Sequence, residues 1–180
     1  MDKIRGFRQD EAARSPTFYA EFPTNSISNE QIEVLKVVAS NAEGVARFCL
    51  HSSTECAMHV MVIAQTSGRY WRPKKHQTKI KSFNILEGQM AVVEFTESGD
   101  ATKLTLLSIE ARPLIVIAPS TFHTNVALTP ICVHVETIQG PYHNGEHDRV
   151  AAGFAPEEED ADAGRLFVSG VIERLSRESL

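Results

Sequence analysis

The chain has 180 residues, enough for one well-buried core and too few for two ordinary domains. Hydrophobic residues make up 42% and charged residues 23%, the mix of a soluble globular protein, and a net charge of −5 argues against nonspecific nucleic-acid binding. No apolar run approaches the roughly 20 residues that a membrane helix requires, and Met1 to Asp10 does not resemble a signal peptide, so no membrane partner is expected and the cytoplasm is the expected address.

Residues 1–27 read as irregular, with Pro16 and Pro23 among a few aromatics (Phe18, Tyr19, Phe22). Ser28 followed by Gln31 fits a capping box, and Ile32, Leu35, Val38 and Ala39 recur at helical spacing, which predicts a helix over about 29–40. From Val45 the texture changes to short β-type runs: 45–50, 58–65, 83–86, 90–96, 102–107, 114–118, 125–128 and 131–139. Glu97-Ser98-Gly99-Asp100 reads as a hairpin turn, and Gly88 is available for a positive φ in a second turn. Short strands without intervening helices predict a sandwich, barrel or jelly roll rather than a parallel sheet. After Pro156 an acidic segment leads to a short helix over about 165–177. The expected organisation is an N-terminal segment and helix (1–44), a β-barrel (45–156) and an acidic tail with a short helix (157–180).

Cys49, Cys56 and Cys132 are an odd number and none is in Cys-x-x-Cys spacing, which argues against a disulfide framework and against a cysteine zinc site. Cys49 and Cys132 lie in apolar runs and are expected as buried thiols. Arg69, Arg72, Lys74, Lys75, Lys79 and Lys81 place six of the 18 basic residues in one short stretch, while the acidic excess (Glu157, Glu158, Glu159, Asp160, Asp162) lies elsewhere.

Two stretches carry the chemistry: residues 68–88, from Gly68 through Lys74 and His76 to Gly88, and residues 118–125, containing Phe122-His123-Thr124. Together they resemble the paired cupin signature. Aligned on Gly68, His76 and Gly88, Lys74 takes the first His position, His76 the second, Lys81 the Glu position, and His123 the final His. Arg72-Pro73, Ser82-Phe83, Ile85-Leu86-Glu87-Gly88, Glu136, Gly140-Pro141-Tyr142 and Phe154-Ala155-Pro156 resemble the WbuC family of cupins over roughly residues 45–160. The resemblance implies an all-β fold, the cupin double-stranded β-helix or jelly-roll barrel, here with an N-terminal helix and a short C-terminal helix. It also implies a link to surface-polysaccharide or nucleotide-sugar metabolism, because members are often encoded among genes for O-antigen synthesis.

The departures from the motif bear on the metal. Zinc or iron takes three or four N/O ligands, and an ammonium has no lone pair to give. With lysine at two of four ligand positions, no metal is expected at full occupancy; Zn, Fe, Ni or Mn would be held by His76 and His123, with His59, His134 or Glu136 as additional ligands. One reading of Lys74 and Lys81 is drift in a retired site, with both side chains swung to solvent. The other is that their charge replaces the metal and draws in an anionic or carbohydrate-type small molecule. His76 and His123 are the catalytic candidates, and Tyr70, Arg72, Lys74, Lys81 and Glu136 the ligand-binding ones. Tyr70 is preferred to Trp71 because it shares strand parity with Arg72 and Lys74. His143 and His147 read as solvated loop residues and His51 as a strand end. The competing functions are an enzyme acting on a sugar or nucleotide-sugar, a non-catalytic regulatory cupin, and a metal-dependent cupin enzyme with rearranged ligands. A homodimer is expected, because open antiparallel sheets need their edges covered and the aromatic N-terminal segment is available to do it.

Overall fold

Alternating and wholly apolar runs settle into two facing sheets, with a helix on the outer side of each. The computed structural model describes residues 4–21, 25–142 and 148–178. In chain order the elements are β1 (Phe7–Gln9), β2 (Thr17–Ala20), α1 (Asn29–Asn41), β3 (Val45–Cys49), β4 (Met58–Thr66), β5 (Lys74–His76) and β6 (Lys81–Glu87). There follow β7 (Gln89–Phe95), β8 (Ala101–Ser108), β9 (Leu114–Ile117), β10 (Phe122–Ala127), β11 (Ile131–Gln139), β12 (Arg149–Ala151) and α2 (Ala161–Glu178). One sheet has the order β1-β2-β3-β4-β11-β6-β9 and the other β12-β5-β10-β7-β8.

Every strand run expected from the sequence is present. The expectation for residues 1–27 needs correction: Phe7–Gln9 and Thr17–Ala20 are strands, and β2 pairs in parallel with β3. They cover the edge of β3 within the same chain and bury Phe7 and Phe18, so Phe18 is not free to serve a partner. Phe22 lies outside the described residues.

Helix α1 starts where the capping box puts it. The Ser28 hydroxyl accepts from the Gln31 amide, and the Gln31 side chain accepts from the Ser28 amide. Its stripe of Ile32, Leu35 and Ala39 packs on Ala46, Phe48, Val62, Ala64 and Val133, the outer face of the larger sheet. Helix α2 covers the smaller sheet: Val171, Ile172 and Leu175 meet Val93, Phe95 and Phe122. This double coverage explains why β7 reads as an unbroken apolar run, since Met90, Ala91, Val92 and Val93 are all buried. At the β6–β7 turn Gly88 has φ +77°, and a Cβ there would come within 2.7 Å of the Ile131 carbonyl oxygen.

The acidic segment before α2 is held against the barrel by the arginines it meets. Glu157 pairs with Arg72, Glu158 lies 4.0 Å from Arg69, and Glu159 lies 3.1 Å from Arg14. Cys49 and Cys132 are buried and free, and burial pushes both thiols up to about 12.

Candidate functional site

Strand alternation decides which side chains enter the space between the sheets. On β11, Cys132, His134, Glu136 and Ile138 share a face. By register His134 stands beside Ile63 and Ile85, Glu136 beside Met61 and Phe83, and Ile138 beside His59 and Lys81. Across the interior, Lys74 and His76 share a face of β5, and Lys74 is opposite His123 on β10. The interior is graded along the strands. One end is a dry cluster of Phe83, Ile85, Met90, Val92, Leu107, Ile117, Ala127 and Cys132. The other end is a cavity of about 510 Å³, lined among others by Trp71, Lys74, His76, Lys81, His134 and Glu136.

The six clustered basic residues fare differently. Arg69 pairs with Glu43 and stacks on Trp71; Arg72 donates from Nε to the Ala152 carbonyl and pairs with Glu157. Lys75 pairs with Glu97 on the outer side, and Lys79 donates to the Pro141 carbonyl at 2.6 Å. Lys81 turns inward, only 4% exposed, with Nζ 3.3 Å from Glu136 Oε1. Lys74 also turns inward, its Nζ 5.3 Å from the centre of the Trp71 ring, and has no hydrogen bond or ion pair among the described residues. The reading in which both lysines swing to solvent is therefore corrected.

Burial and the neighbouring charges shift Glu136, three of the imidazoles and Lys74. Glu136 loses hydration, which by itself favours the acid, but Lys81, then Lys74, His134 and Arg47 outweigh that and hold it at about 2. Burial, reinforced by Lys81, lowers His76 to about 4 and His123 to about 3; burial alone leads in lowering His134 to about 4. All three imidazoles are neutral at pH 7. Lys74 is pushed well below the usual lysine range by burial and by its cationic neighbours Arg149 and Lys81.

The tautomers follow from the partners. His76 Nδ1 lies 3.0 Å from Asp148 Oδ2, and that carboxylate, which also accepts from the Thr78 amide and hydroxyl, is held ionised. An ionised carboxylate only accepts, so the proton is on Nδ1 and Nε2 keeps its lone pair. His123 Nδ1 likewise donates to the Thr121 carbonyl at 2.9 Å, leaving a buried Nε2 with no partner among the described residues.

That orphaned nitrogen is what a metal ligand of this fold would look like, so the donor set has to be weighed. His123 and His134 each make a T-shaped ring contact with Phe83. Glu136 is engaged by Lys81, and His59 stacks on His51 at 4.3 Å while its Nε2 contacts the Thr54 carbonyl. Among the described residues no three His, Cys, Asp or Glu side chains converge as metal ligands. With two lysines facing the same space, the residues present do not fit a divalent metal.

Several expected site residues lie together: His76, Lys74, Lys81, Glu136, His134 and His59 all line the cavity, as does His51, which was expected only as a strand end. Tyr70 and Arg72 do not, and neither does His123, whose buried ring packs against Phe83. Tyr70 is buried under α2, donating from its hydroxyl to the Pro156 carbonyl, and Arg72 faces the acidic segment. The parity argument fails at Pro73, because residues 70–73 are not strand and the alternation starts afresh at Lys74. Trp71, set aside in favour of Tyr70, lines the cavity instead. Asp148, Arg47 and Arg149 were missed. Arg47 carried a signal, as the one charge in the otherwise apolar run Val45–Cys49; Asp148 carried none, since β12 brings it to β5 from 72 residues away. His143 and His147 lie outside the described residues.

A family model described as "Domain of unknown function (DUF6016)" matches residues 27–107. No curated protein matches the chain. Among solved structures, the chain is similar to the crystal structure of CapF with the inhibitor 3-isopropenyl-tropolone, at 16% identity and a TM-score of 0.51, over 61% of this chain and 31% of that one. It is similar to the same degree to the capsular polysaccharide assembling protein CapF from Staphylococcus aureus, over 61% of this chain and 32% of that one. The fold is a cupin barrel. At this identity the likeness is one of fold, and this chain spans about a third of the CapF chain. No helix among the described residues is long and apolar enough to cross a membrane.

Proposed function

We propose that this chain is a WbuC-like cupin whose cavity binds a small anionic molecule of carbohydrate type, linked to surface-polysaccharide or nucleotide-sugar metabolism. The observation that carries the reading is the charge inside the barrel. Lys74 and Lys81 face the cavity with Arg47 and Arg149 also lining it; Glu136 pairs with Lys81, and Asp10, Glu43 and Glu158 are further carboxylates of the wall. A carboxylate or phosphate entering this space meets basic side chains that the fold has already gathered in its walls. A volume of about 510 Å³ is in the range of small-molecule sites. The fold likeness to a capsular polysaccharide assembling protein supports the polysaccharide link as analogy only.

The enzymatic form of this reading rests on His76. Its Nε2 is unprotonated, its ring is fixed by Asp148, and it belongs to the cavity wall, which is the arrangement of a general base. The homodimer belongs to the same proposal: β9 is an outermost strand and exposes Leu114 and Val116 by 53% and 62%. The test is a thermal-shift and calorimetric screen of uronic acids, sugar phosphates and nucleotide-sugars against their neutral parent sugars. Binding that requires the anionic group, and that weakens with Lys81→Met, is the expected result. Equal binding of the neutral sugars, or none by any anionic one, refutes it.

A further inference from the structure

We infer that the cavity takes an elongated compound with an anionic group at each end, one held at Lys81 and Arg149 and the other, a planar carboxylate, at the guanidinium of Arg47. The inference rests on the anionic-ligand reading of the cavity and adds a second charge to the ligand and a residue to hold it. Arg47 lines the cavity from β3, well apart from Lys81. By register it stands beside Ile63, Ile63 beside His134, and His134 beside Ile85; Lys81 is four residues back along β6 from Ile85. Three strand spacings put the two backbones about 14 Å apart across the sheet, and four residues put them about 13 Å apart along it. One carboxylate does not span that separation.

The hydrogen bonding of Arg47 is incomplete. Its Nη2 donates to Ser15 Oγ at 3.0 Å, its Nε is buried without a partner, and it makes no ion pair among the described residues. Asp10, also in the wall, accepts from the Ala12 amide through Oδ1. Arg14 and Arg69 line the cavity too, but Glu159 engages the first, and Glu43 and Glu158 the second. A guanidinium facing a cavity without a carboxylate of its own suits a carboxylate ligand, whose two oxygens match its planar fork. Glu136 stands in the row between the two ends, held by Lys81, and Met61, Cys49 and Tyr19 continue that row without a basic group. Glu136 repels a charge in the middle of a bound molecule and accepts from a hydroxyl there. Charges at the ends and hydroxyls between them describe a disaccharide with a carboxylate on each ring, and a cavity of about 510 Å³ has room for it.

The test is calorimetric and starts from the natural chain, with two matched series. Azelate is compared with nonanoate, two carboxylates against one on the same carbon chain, and digalacturonate with an aldobiouronate, which carries one carboxylate on two rings. The expected result is that the diacid binds about tenfold or more tighter than the monoacid in at least one series, the gain from one further charged hydrogen-bonding group. Arg47→Gln keeps a donor for Ser15 and drops the charge, and should bring that ratio below about threefold; a ratio left at tenfold overturns the assignment to Arg47. Arg47→Lys, which loses the fork, serves with the same outcomes should the glutamine variant not fold. Equal affinities within both series for the natural chain, or no binding in either, overturn the inference. The sugar reading is scored apart. Azelate favoured without any sugar binding supports the two ends and refutes the sugar; sugars that bind while both ratios stay near one leave the sugar reading standing and refute the second end.

Discussion

Lys81 on β6 and Glu136 on β11 form an ion pair of 3.3 Å in the interior of the barrel, at side-chain exposures of 4% and 17%. The two residues are diagonal neighbours on paired strands, since Lys81 is in register with Ile138 and Glu136 with Phe83. Losing one partner leaves the other charge buried and uncompensated. Lys81→Met is therefore expected to lower stability by about 3–5 kcal/mol, and the double change Lys81→Met with Glu136→Leu to recover much of that loss. Urea denaturation of the three proteins measures it; additive losses in the double variant contradict the pairing.

Acid should unfold the protein earlier than its carboxylates alone would suggest. His76, His123 and His134 go from 6.5 when unfolded to about 4, 3 and 4 when folded, so below pH 6.5 the unfolded chain binds more protons. Their stabilisation is complete above 6.5 and is lost as pH falls through that window, by up to about 1.4 kcal/mol per pH unit for each histidine. Glu136, depressed from 4.5 to about 2, adds a loss of the same sign below 4.5. Urea midpoints should fall steeply as pH drops below 6.5 toward 5. A midpoint unchanged down to pH 5 contradicts buried neutral histidines.

Much of this was legible in the sequence where a period or a turn residue enforced it. The Ser28/Gln31 box, the stripe of α1, the turn at Gly88 and the pattern of long strands all have local causes. What escaped has non-local causes. β5 and β12 are three residues each and show no period, yet their pairing brings Asp148 to His76. β1 and β2 are specified by the exposed edge of β3 rather than by their own composition. Of the residues that the motif alignment singled out, Lys74, His76 and Lys81 line the cavity and His123 does not; Tyr70 and Arg72 lie elsewhere because Pro73 ends the alternation that linked them to Lys74.

The contact that takes Tyr70 away from the cavity can be tested directly. A Cβ on Gly164 would come within 2.2 Å of the Tyr70 ring, so the first turn of α2 seats on that ring only because residue 164 is glycine. Gly164→Val should cost about 1–3 kcal/mol by overpacking, despite removing a helix-disfavouring residue. Thermal unfolding gives the value. A stabilised variant contradicts the docking of α2 on Tyr70.

The metal content of the barrel decides between charge and coordination. His76 and His123 offer two imidazoles, the other two motif positions hold lysines, and Glu136 is engaged by Lys81. Untagged natural protein is expected to carry less than one zinc, iron, nickel or manganese per chain, because two protein ligands bind a divalent ion weakly. Lys74→His with Lys81→Glu replaces both cations by suitable donors and releases Glu136, so zinc affinity should rise by orders of magnitude and stability should become chelator-sensitive. His76→Ala in the natural chain should alter ligand binding without altering metal content. Elemental analysis before and after the double change reads both halves. One tightly bound metal per natural chain would overturn the charge-based reading and require His59, His134 or Glu136 to move into the coordination sphere.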